Sequence, residues 1–138
     1  MRRTAWIIVV AAALSAACTT YFETPTSSTT TPEPPPDPNR FSGVIGRGGS
    51  ASRTLALAAA GSIEATLTDV SPSVMVGMGI GLPRSDQAGC NVTRSLETFA
   101  GDSARLVIQA DAGTYCVKVF DMGHIREDVV FTVTIAHP

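Results

Sequence analysis

The chain has 138 residues, which is enough for one domain of ordinary size. Ten Lys/Arg residues stand against twelve Asp/Glu residues, and Lys118 is the single lysine. This mildly acidic balance excludes an electrostatic surface for nucleic acid or for anionic lipid headgroups.

Residues 1–17 have the pattern of an export signal. Arg2 and Arg3 supply the positive start, and an apolar or small run follows from Ala5 to Ala17. As a helix, a run of about 13 residues spans about 20 Å, which is short of the roughly 30 Å of a bilayer core. The run therefore predicts a removable signal rather than a transmembrane anchor.

The run Leu14-Ser15-Ala16-Ala17-Cys18 resembles a bacterial lipobox, in which the cysteine is diacylated and becomes the mature N-terminus. The preferred leucine lies three residues before the cysteine, and here Ser15 holds that place. The resemblance implies a lipid anchor on Cys18 that holds the protein to a membrane. Ordinary signal cleavage, which leaves a free thiol, is the alternative. Similar lipoproteins are kept at the inner membrane by an acidic residue after the cysteine, so Thr19 favours the outer membrane of a cell that has one.

The segment 18–39 contains seven threonines, six prolines and two serines after its cysteine. Such a composition cannot bury apolar surface, and proline lacks the amide donor of regular pairing, so the segment predicts a disordered linker. In a polyproline conformation it reaches up to about 65 Å. A peptide ligand or an O-glycosylated stretch is the alternative.

From residue 40 to residue 138 the chain changes to short runs of alternating apolar and polar residues, separated by turn residues. This pattern predicts an all-β domain, an antiparallel sandwich or barrel. Arg53 interrupts the first of the apolar faces. In chain order the faces are Ala51, Leu55 and Leu57; Ile63, Ala65 and Leu67; Val74, Val76, Met78, Ile80 and Leu82; Ala104, Leu106, Ile108 and Ala110; Tyr115, Val117 and Val119; and Val129, Phe131, Val133 and Ile135.

Cys90 and Cys116 are the only cysteines of the predicted domain. Export leads to an oxidising compartment, so we predict that they form a disulfide. The bridge closes a loop of about 27 residues, worth roughly 3.5 kcal/mol in the chain-entropy treatment. A metal site is the alternative, but neither His124 nor His137 is spaced as a ligand beside a cysteine. The sequence therefore predicts no metal and no cofactor.

The run Gly113-Thr-Tyr-Cys-Val-Lys-Val-Phe-Asp-Met-Gly123, followed by Phe131-Thr-Val-Thr-Ile135, resembles the end of bacterial pre-peptidase C-terminal domains. The resemblance covers about residues 41–138. It implies a single eight-stranded, jelly-roll-like antiparallel sandwich without catalytic residues, which is sometimes tied to adhesion or calcium. The acidic Asp-x-Asp-Leu-Tyr strand of that family falls near Val74–Leu82, which carries no carboxylate, and this puts calcium binding there in doubt.

One candidate binding surface is a strand with glycines at alternate positions, Gly77, Gly79 and Gly81. One face of this strand carries no side chains, and glycine in a strand often marks a close backbone approach. The face is either a flat groove that receives a partner's strand or a ligand, or a place of tight packing beneath a loop or an aromatic side chain from Phe99 or Phe120.

A second candidate surface is the loop of residues 121–128, which holds the densest polar chemistry of the domain. Three carboxylates and one histidine favour a calcium or transition-metal site, but the spacing matches no EF-hand, and Arg126 neutralises part of the charge. A solvated connection between two strands is the alternative. The candidate residues of this loop are Asp121, His124, Glu127 and Asp128.

The sequence offers no catalytic residues, because G-x-S-x-G is absent and a disulfide would remove the thiol nucleophile. Trp6 is the only tryptophan and lies in the signal, which leaves no indole for stacking on sugar rings. We therefore predict a non-catalytic, envelope-anchored binding module whose partner is an envelope protein or a cell-surface polymer. The alternative is a purely structural envelope lipoprotein without a defined ligand, and a hydrolase is a remote third hypothesis.

Overall fold

A computed structural model describes residues 37–85 and 88–138, so Cys18, the predicted signal and most of the predicted linker lie outside the described residues. The described residues form eight β-strands, and none of them is helical, so no helix within these ranges is long and apolar enough to cross a membrane. The strands are β1 (Arg40–Ile45), β2 (Ser50–Leu57), β3 (Gly61–Ser71), β4 (Val76–Pro83), β5 (Cys90–Thr98), β6 (Arg105–Ala110), β7 (Gly113–Phe120) and β8 (Val129–Ala136).

The strands form two four-stranded sheets in which every pair of neighbours is antiparallel. Sheet A has the order β1-β8-β3-β6, and sheet B has the order β2-β7-β4-β5. This is the strand order of a jelly roll, in which eight strands form two stacked sheets. The prediction of a single all-β antiparallel sandwich of about eight strands is therefore confirmed.

The core lies between the two sheets and is formed by the apolar faces that alternate along their strands. The largest side chain in it, Phe131, is fully buried and meets Phe41 edge to face, with 5.0 Å between ring centroids. Each fully buried side chain of this size contributes roughly 1.5–3 kcal/mol through loss of apolar surface from water. The other large side chains that are fully buried are Ile63, Leu67, Val76, Met78, Ile80, Val117, Val119, Ile125, Val129, Val133 and Ile135.

The predicted inner face of β4 is correct from Val76 to Ile80 and wrong at Leu82, which is 49% exposed. Val74 precedes the strand, but it is partly buried and packs against the core. The pairing of β4 with β7 ends at Gly81, so Leu82 extends beyond the neighbouring strand and beyond the core.

No apolar face was predicted for β1 and β5, and both are edge strands. Six of the nine residues of β5 are polar, and most of the strand is exposed, so little of it faces the core. In β1, Phe41 and Ile45 are buried, but Gly43 stands between them and breaks the alternation. Periodicity detects strands through their buried residues, so it misses edges of this kind.

Arg53, which interrupts the inner face of β2, connects the edge strand β2 of sheet B to the edge strand β1 of sheet A. Its guanidinium donates hydrogen bonds to the backbone carbonyls of Arg40 and Asp37. An inward-pointing charged residue on an edge strand is a common way to protect that edge from pairing with another chain.

Candidate functional site

The glycine face of β4 points away from the core and is covered by side chains of the neighbouring strands. A Cβ at Gly77 would lie 2.5 Å from Cε2 of Phe120, and a Cβ at Gly79 would overlap the side chain of Val92. Phe120 is paired with Gly77 across the β4–β7 ladder, so its ring lies over the glycine. Side chains therefore lie over both glycines. At Gly77 the neighbour is Phe120, which the packing alternative names, whereas at Gly79 it is Val92 of β5, which the sequence did not indicate.

Gly81 has a different neighbour, the backbone of β5. A Cβ there would overlap the carbonyl oxygen of Asn91 and would lie 2.7 Å from Cα of Val92. The pairing of β4 with β5 shifts register between Ile80 and Gly81, so β5 is irregular at this point. The absence of a side chain lets β5 cross close to the face of β4.

The disulfide between Cys90 and Cys116 holds this crossing in place. The bridge is formed, with 5.7 Å between the two Cα atoms, and the predicted pairing is confirmed. It joins β5 to β7, the two strands on either side of β4, and Cys116 is paired with Gly81. The bridge therefore passes over β4 at the position that lacks a side chain.

Asp121 follows β7 directly, and its carboxylate accepts four backbone hydrogen bonds. Oδ2 accepts from the N–H of Gly48, in the turn between β1 and β2, at 2.8 Å. Oδ1 accepts from the N–H groups of residues 123, 124 and 125 at 2.8, 2.9 and 3.1 Å. Asp121 thus folds the start of the 121–128 loop around itself and ties the loop to a second turn.

These donors stabilise the charged form of Asp121 and lower its pKa from 3.8 to about 2. The Gly48 N–H makes the largest contribution, followed by the Ile125 N–H, and partial desolvation opposes them. Both carboxylate oxygens already accept hydrogen bonds from the protein. Across the described ranges, no three His, Cys, Asp or Glu side chains converge as a metal site requires. The geometry gives no support to calcium binding by this loop.

His124 reaches out of the loop to Glu97 on β5, with 2.8 Å between Nε2 and Oε1. Both side chains are half exposed. Glu97 is paired with Gly77 in the β4–β5 ladder, so the loop and the glycine strand, which were predicted as separate surfaces, meet at one end of sheet B. Glu97 was not among the predicted site residues, because it lies 27 residues from His124 and on another element.

A shallow pocket of about 200 Å³ lies between the same loop and the connection that leads into β4. Its polar side chains are exposed, and its apolar wall is formed by the connection before β4 and the first residue of β8. The lining residues include Pro72, Val74, His124, Arg126, Glu127 and Val129.

Two half-exposed apolar side chains lie at this end of sheet B. Phe99 follows β5 and is 51% exposed, and Met122 follows β7 by two residues and is 50% exposed. We call the exposed residues at this end of sheet B, Phe99, Met122, His124, Arg126 and Glu127, the loop end. Of the predicted loop residues, His124 and Glu127 belong to it, whereas Asp121 organises the backbone and Asp128 faces Gly46.

The loop end contains no arrangement for nucleophilic catalysis. Ser73 lines the same pocket as His124, but within the described part of the chain the two side chains form no hydrogen bond. A serine nucleophile needs a base in hydrogen-bond contact, and Cys90 and Cys116 are closed in a disulfide.

No protein-family model matches the chain, and no curated protein matches it either. The resemblance to pre-peptidase C-terminal domains therefore stays a prediction. Among solved structures, the chain is similar to a periplasmic inhibitor of g-type lysozyme from Aeromonas hydrophila, PliG, with 12% identity and a TM-score of 0.47. The similarity covers 70% of this chain and 84% of that one. We infer function from the residues of this chain alone.

Proposed function

We propose that this chain is a non-catalytic binding module, anchored to the cell envelope through lipid on Cys18, and that the loop end binds a protein partner. The observation that carries the proposal is the hydrogen-bonded backbone at the start of the loop. Asp121 fixes the loop backbone with four hydrogen bonds, while the neighbouring side chains point to solvent.

Fixed loop geometry matters because a partner then meets a surface that is already formed. Ordering a mobile loop on binding costs free energy that reduces affinity, and a preorganised loop avoids that cost. The carboxylate of Asp121 is ionised at neutral pH, so the hydrogen bonds that hold the loop are present under ordinary conditions.

The composition of the loop end favours a protein as partner. Phe99 and Met122 supply exposed aromatic and thioether groups, the residue types enriched where proteins meet. His124, Arg126 and Glu127 supply charged and hydrogen-bonding groups of both signs around them. The pocket of about 200 Å³ lies below the size of ordinary small-molecule sites, which begin at about 300 Å³.

Capture of a partner from detergent-solubilised envelope tests the site. The compact unit Pro34–Pro138, which contains the whole described core, is immobilised, and bound proteins are identified by mass spectrometry. We expect a saturable protein partner whose affinity falls at least about tenfold in the Phe99→Ala/Met122→Ala variant, because truncated interface anchors cost about 2 kcal/mol or more.

The matched control is Val44→Ala/Val130→Ala, which truncates two similarly exposed apolar side chains on the outer face of sheet A. It is expected to bind the partner as the wild type does. Equal loss in both variants would contradict recognition by the loop end. No captured protein at high loading would favour the alternative of a purely structural envelope lipoprotein.

The lipid anchor predicts that Cys18→Ala releases the protein from membranes. Without the thiol no acyl chain can be attached, and each buried CH₂ of such chains contributes about 0.8 kcal/mol to membrane binding. Fractionation of cells that express the wild type and the variant gives the measurement, with Cys90→Ala/Cys116→Ala as a control that leaves the lipobox intact. Sedimentation of the Cys18→Ala protein with membranes would contradict lipidation.

A further inference from the structure

The outer face of sheet A carries a polar cleft of about 350 Å³, on the opposite side of the sandwich from sheet B. Small-ligand sites in proteins begin at about this size. The side chains that line the cleft are all polar. They include Asp37, Arg40, Thr68, Asp69, Thr132 and Thr134, and we call this site the hydroxyl cleft.

A β-bulge in β3 creates the cleft. The pairing of β3 with β8 shifts register between Leu67 and Asp69, so Thr68 is an extra residue on the bulged strand. As a result Thr68 and Asp69 are both exposed, although consecutive residues of a regular strand alternate between the two faces of a sheet. The bulge therefore brings a hydroxyl and a carboxylate together beside Thr132.

The floor of the cleft is held by hydrogen bonds within the sheet. The Thr132 hydroxyl, the only buried polar side chain in the described core, shares a hydrogen bond with the Ser42 hydroxyl at 3.0 Å. Thr68 donates through its hydroxyl to the carbonyl of Thr132 at 3.1 Å. These bonds connect β1, β8 and β3, so the floor is formed before any ligand arrives.

The walls of the cleft keep unused hydrogen-bonding capacity. Over the described ranges, neither the Asp69 carboxylate nor the Thr134 hydroxyl forms a hydrogen bond or ion pair. The guanidinium of Arg40 contacts Ser42 through Nε at 3.4 Å, which leaves its two terminal nitrogens as donors. Arg40 is paired with Thr134 across the β1–β8 ladder, so these groups lie in adjacent strands around the same space.

We propose that the hydroxyl cleft binds one sugar unit of a cell-surface polysaccharide. A carboxylate accepts hydrogen bonds from two neighbouring hydroxyls, a guanidinium donates to ring and carbonyl oxygens, and a threonine hydroxyl does both. This set of groups matches a ligand with alternating donors and acceptors. The lining offers no apolar side chain for an apolar ligand, and its two aspartates against one arginine disfavour a phosphate chain.

Because no aromatic side chain lines the cleft, we expect weak binding of a single sugar unit. Recognition rests on hydrogen bonds alone, so we expect a Kd of about 1 mM for one sugar unit. Retention on a polymer then comes from many identical units near a protein that is confined to the envelope. This inference rests on the envelope anchoring of the proposed function but not on the loop end, because the two sites lie on different sheets and use different residues.

The test is an NMR titration of the Pro34–Pro138 unit, in which amide shifts report the site of binding. The probes are glucose, galactose, N-acetylglucosamine and glucuronic acid, with a synthetic peptide of residues 19–36 as a separate probe. We expect at least one sugar to give saturable shifts at Thr68, Asp69, Thr132 and Thr134. Asp69→Asn is expected to weaken that binding at least about tenfold, because a charged acceptor is replaced by an amide.

The control variant is Gln109→Ala, which removes an exposed polar group of β6 on the same sheet face, outside the cleft. It is expected to leave the titration unchanged. No saturable shift with any of the four sugars would overturn the proposal, as would shifts that Asp69→Asn does not alter. Saturation by the peptide alone would assign the cleft to the chain's own linker and would also overturn it.

Discussion

Replacement of Gly81 with alanine is expected to lower the free energy of unfolding by about 3 kcal/mol or more. The added Cβ would overlap the carbonyl oxygen of Asn91, and Cα of Val92 lies only 2.7 Å from it. Both obstacles are backbone atoms, so no side-chain rotation can relieve the contact. Overpacking of this kind typically costs about 1–3 kcal/mol, and a fixed backbone places the substitution at the upper end.

Urea unfolding of the wild type and of Gly81→Ala gives the measurement. The matched control is Gly113→Ala, because the nearest atom to a Cβ there is Cε2 of Tyr115 at 3.7 Å, which is an ordinary contact. The control is expected to change stability by less than about 1 kcal/mol. Equal midpoints for Gly81→Ala and the wild type would show that β5 does not lie against β4 in solution.

The contribution of the disulfide to this cost is measured in a second background. When Cys90 and Cys116 are both replaced with alanine, β5 is free to move away from β4, and the cost of Gly81→Ala is expected to fall. The difference between the two costs is the coupling energy of a double-mutant cycle, and contacting groups give about 0.5–3 kcal/mol. A coupling energy of zero would mean that the disulfide does not contribute to the cost of Gly81→Ala.

The fold was predictable because six of its strands alternate apolar and polar residues. On β8, for example, Phe131, Val133 and Ile135 are buried. Thr134 and Ala136, which alternate with them, are exposed. An edge strand such as β5 gives no comparable signal, because few of its residues meet the core. The prediction of about eight strands came from the resemblance to a family rather than from periodicity.

The candidate site was predictable only in part. The loop was identified by its polar composition, but the sequence could not show that the Asp121 carboxylate accepts hydrogen bonds from backbone N–H groups. That outcome depends on the turn at Gly48, which is 73 residues away in sequence. For the glycines of β4 the sequence left a groove and close packing as alternatives, and the ring of Phe120 provides close packing at Gly77.

The hydroxyl cleft could not be predicted at all from single residues. Thr68 and Asp69 look like two ordinary positions of an alternating strand, and the bulge that turns both outward depends on the pairing with β8. Threonine and serine are common on the solvent face of any sheet. Their grouping across β1, β8 and β3 is a property of the strand order, which brings together segments more than 60 residues apart.

Removal of the disulfide is expected to lower the melting temperature by about 10 °C or more. The loop that it closes is worth roughly 3.5 kcal/mol in the chain-entropy treatment, and roughly 4–8 °C accompanies each kcal/mol in a domain of this size. Thermal unfolding of the Pro34–Pro138 unit with and without reductant gives the measurement. The Cys90→Ala/Cys116→Ala variant is the control, since its melting temperature should not respond to reductant.

The location of the bridge also predicts where the domain loosens first. It joins β5 to β7 across β4, and β5 has no other neighbour in sheet B, so the reduced protein should lose hydrogen-exchange protection in β5 first. The amides of β8, which lies between β1 and β3 and is almost entirely buried on one face, should keep their protection. Uniform loss across both sheets would mean that the bridge acts only by restricting the unfolded chain. Selective loss in β5 would show that it also holds an edge strand that the core does not.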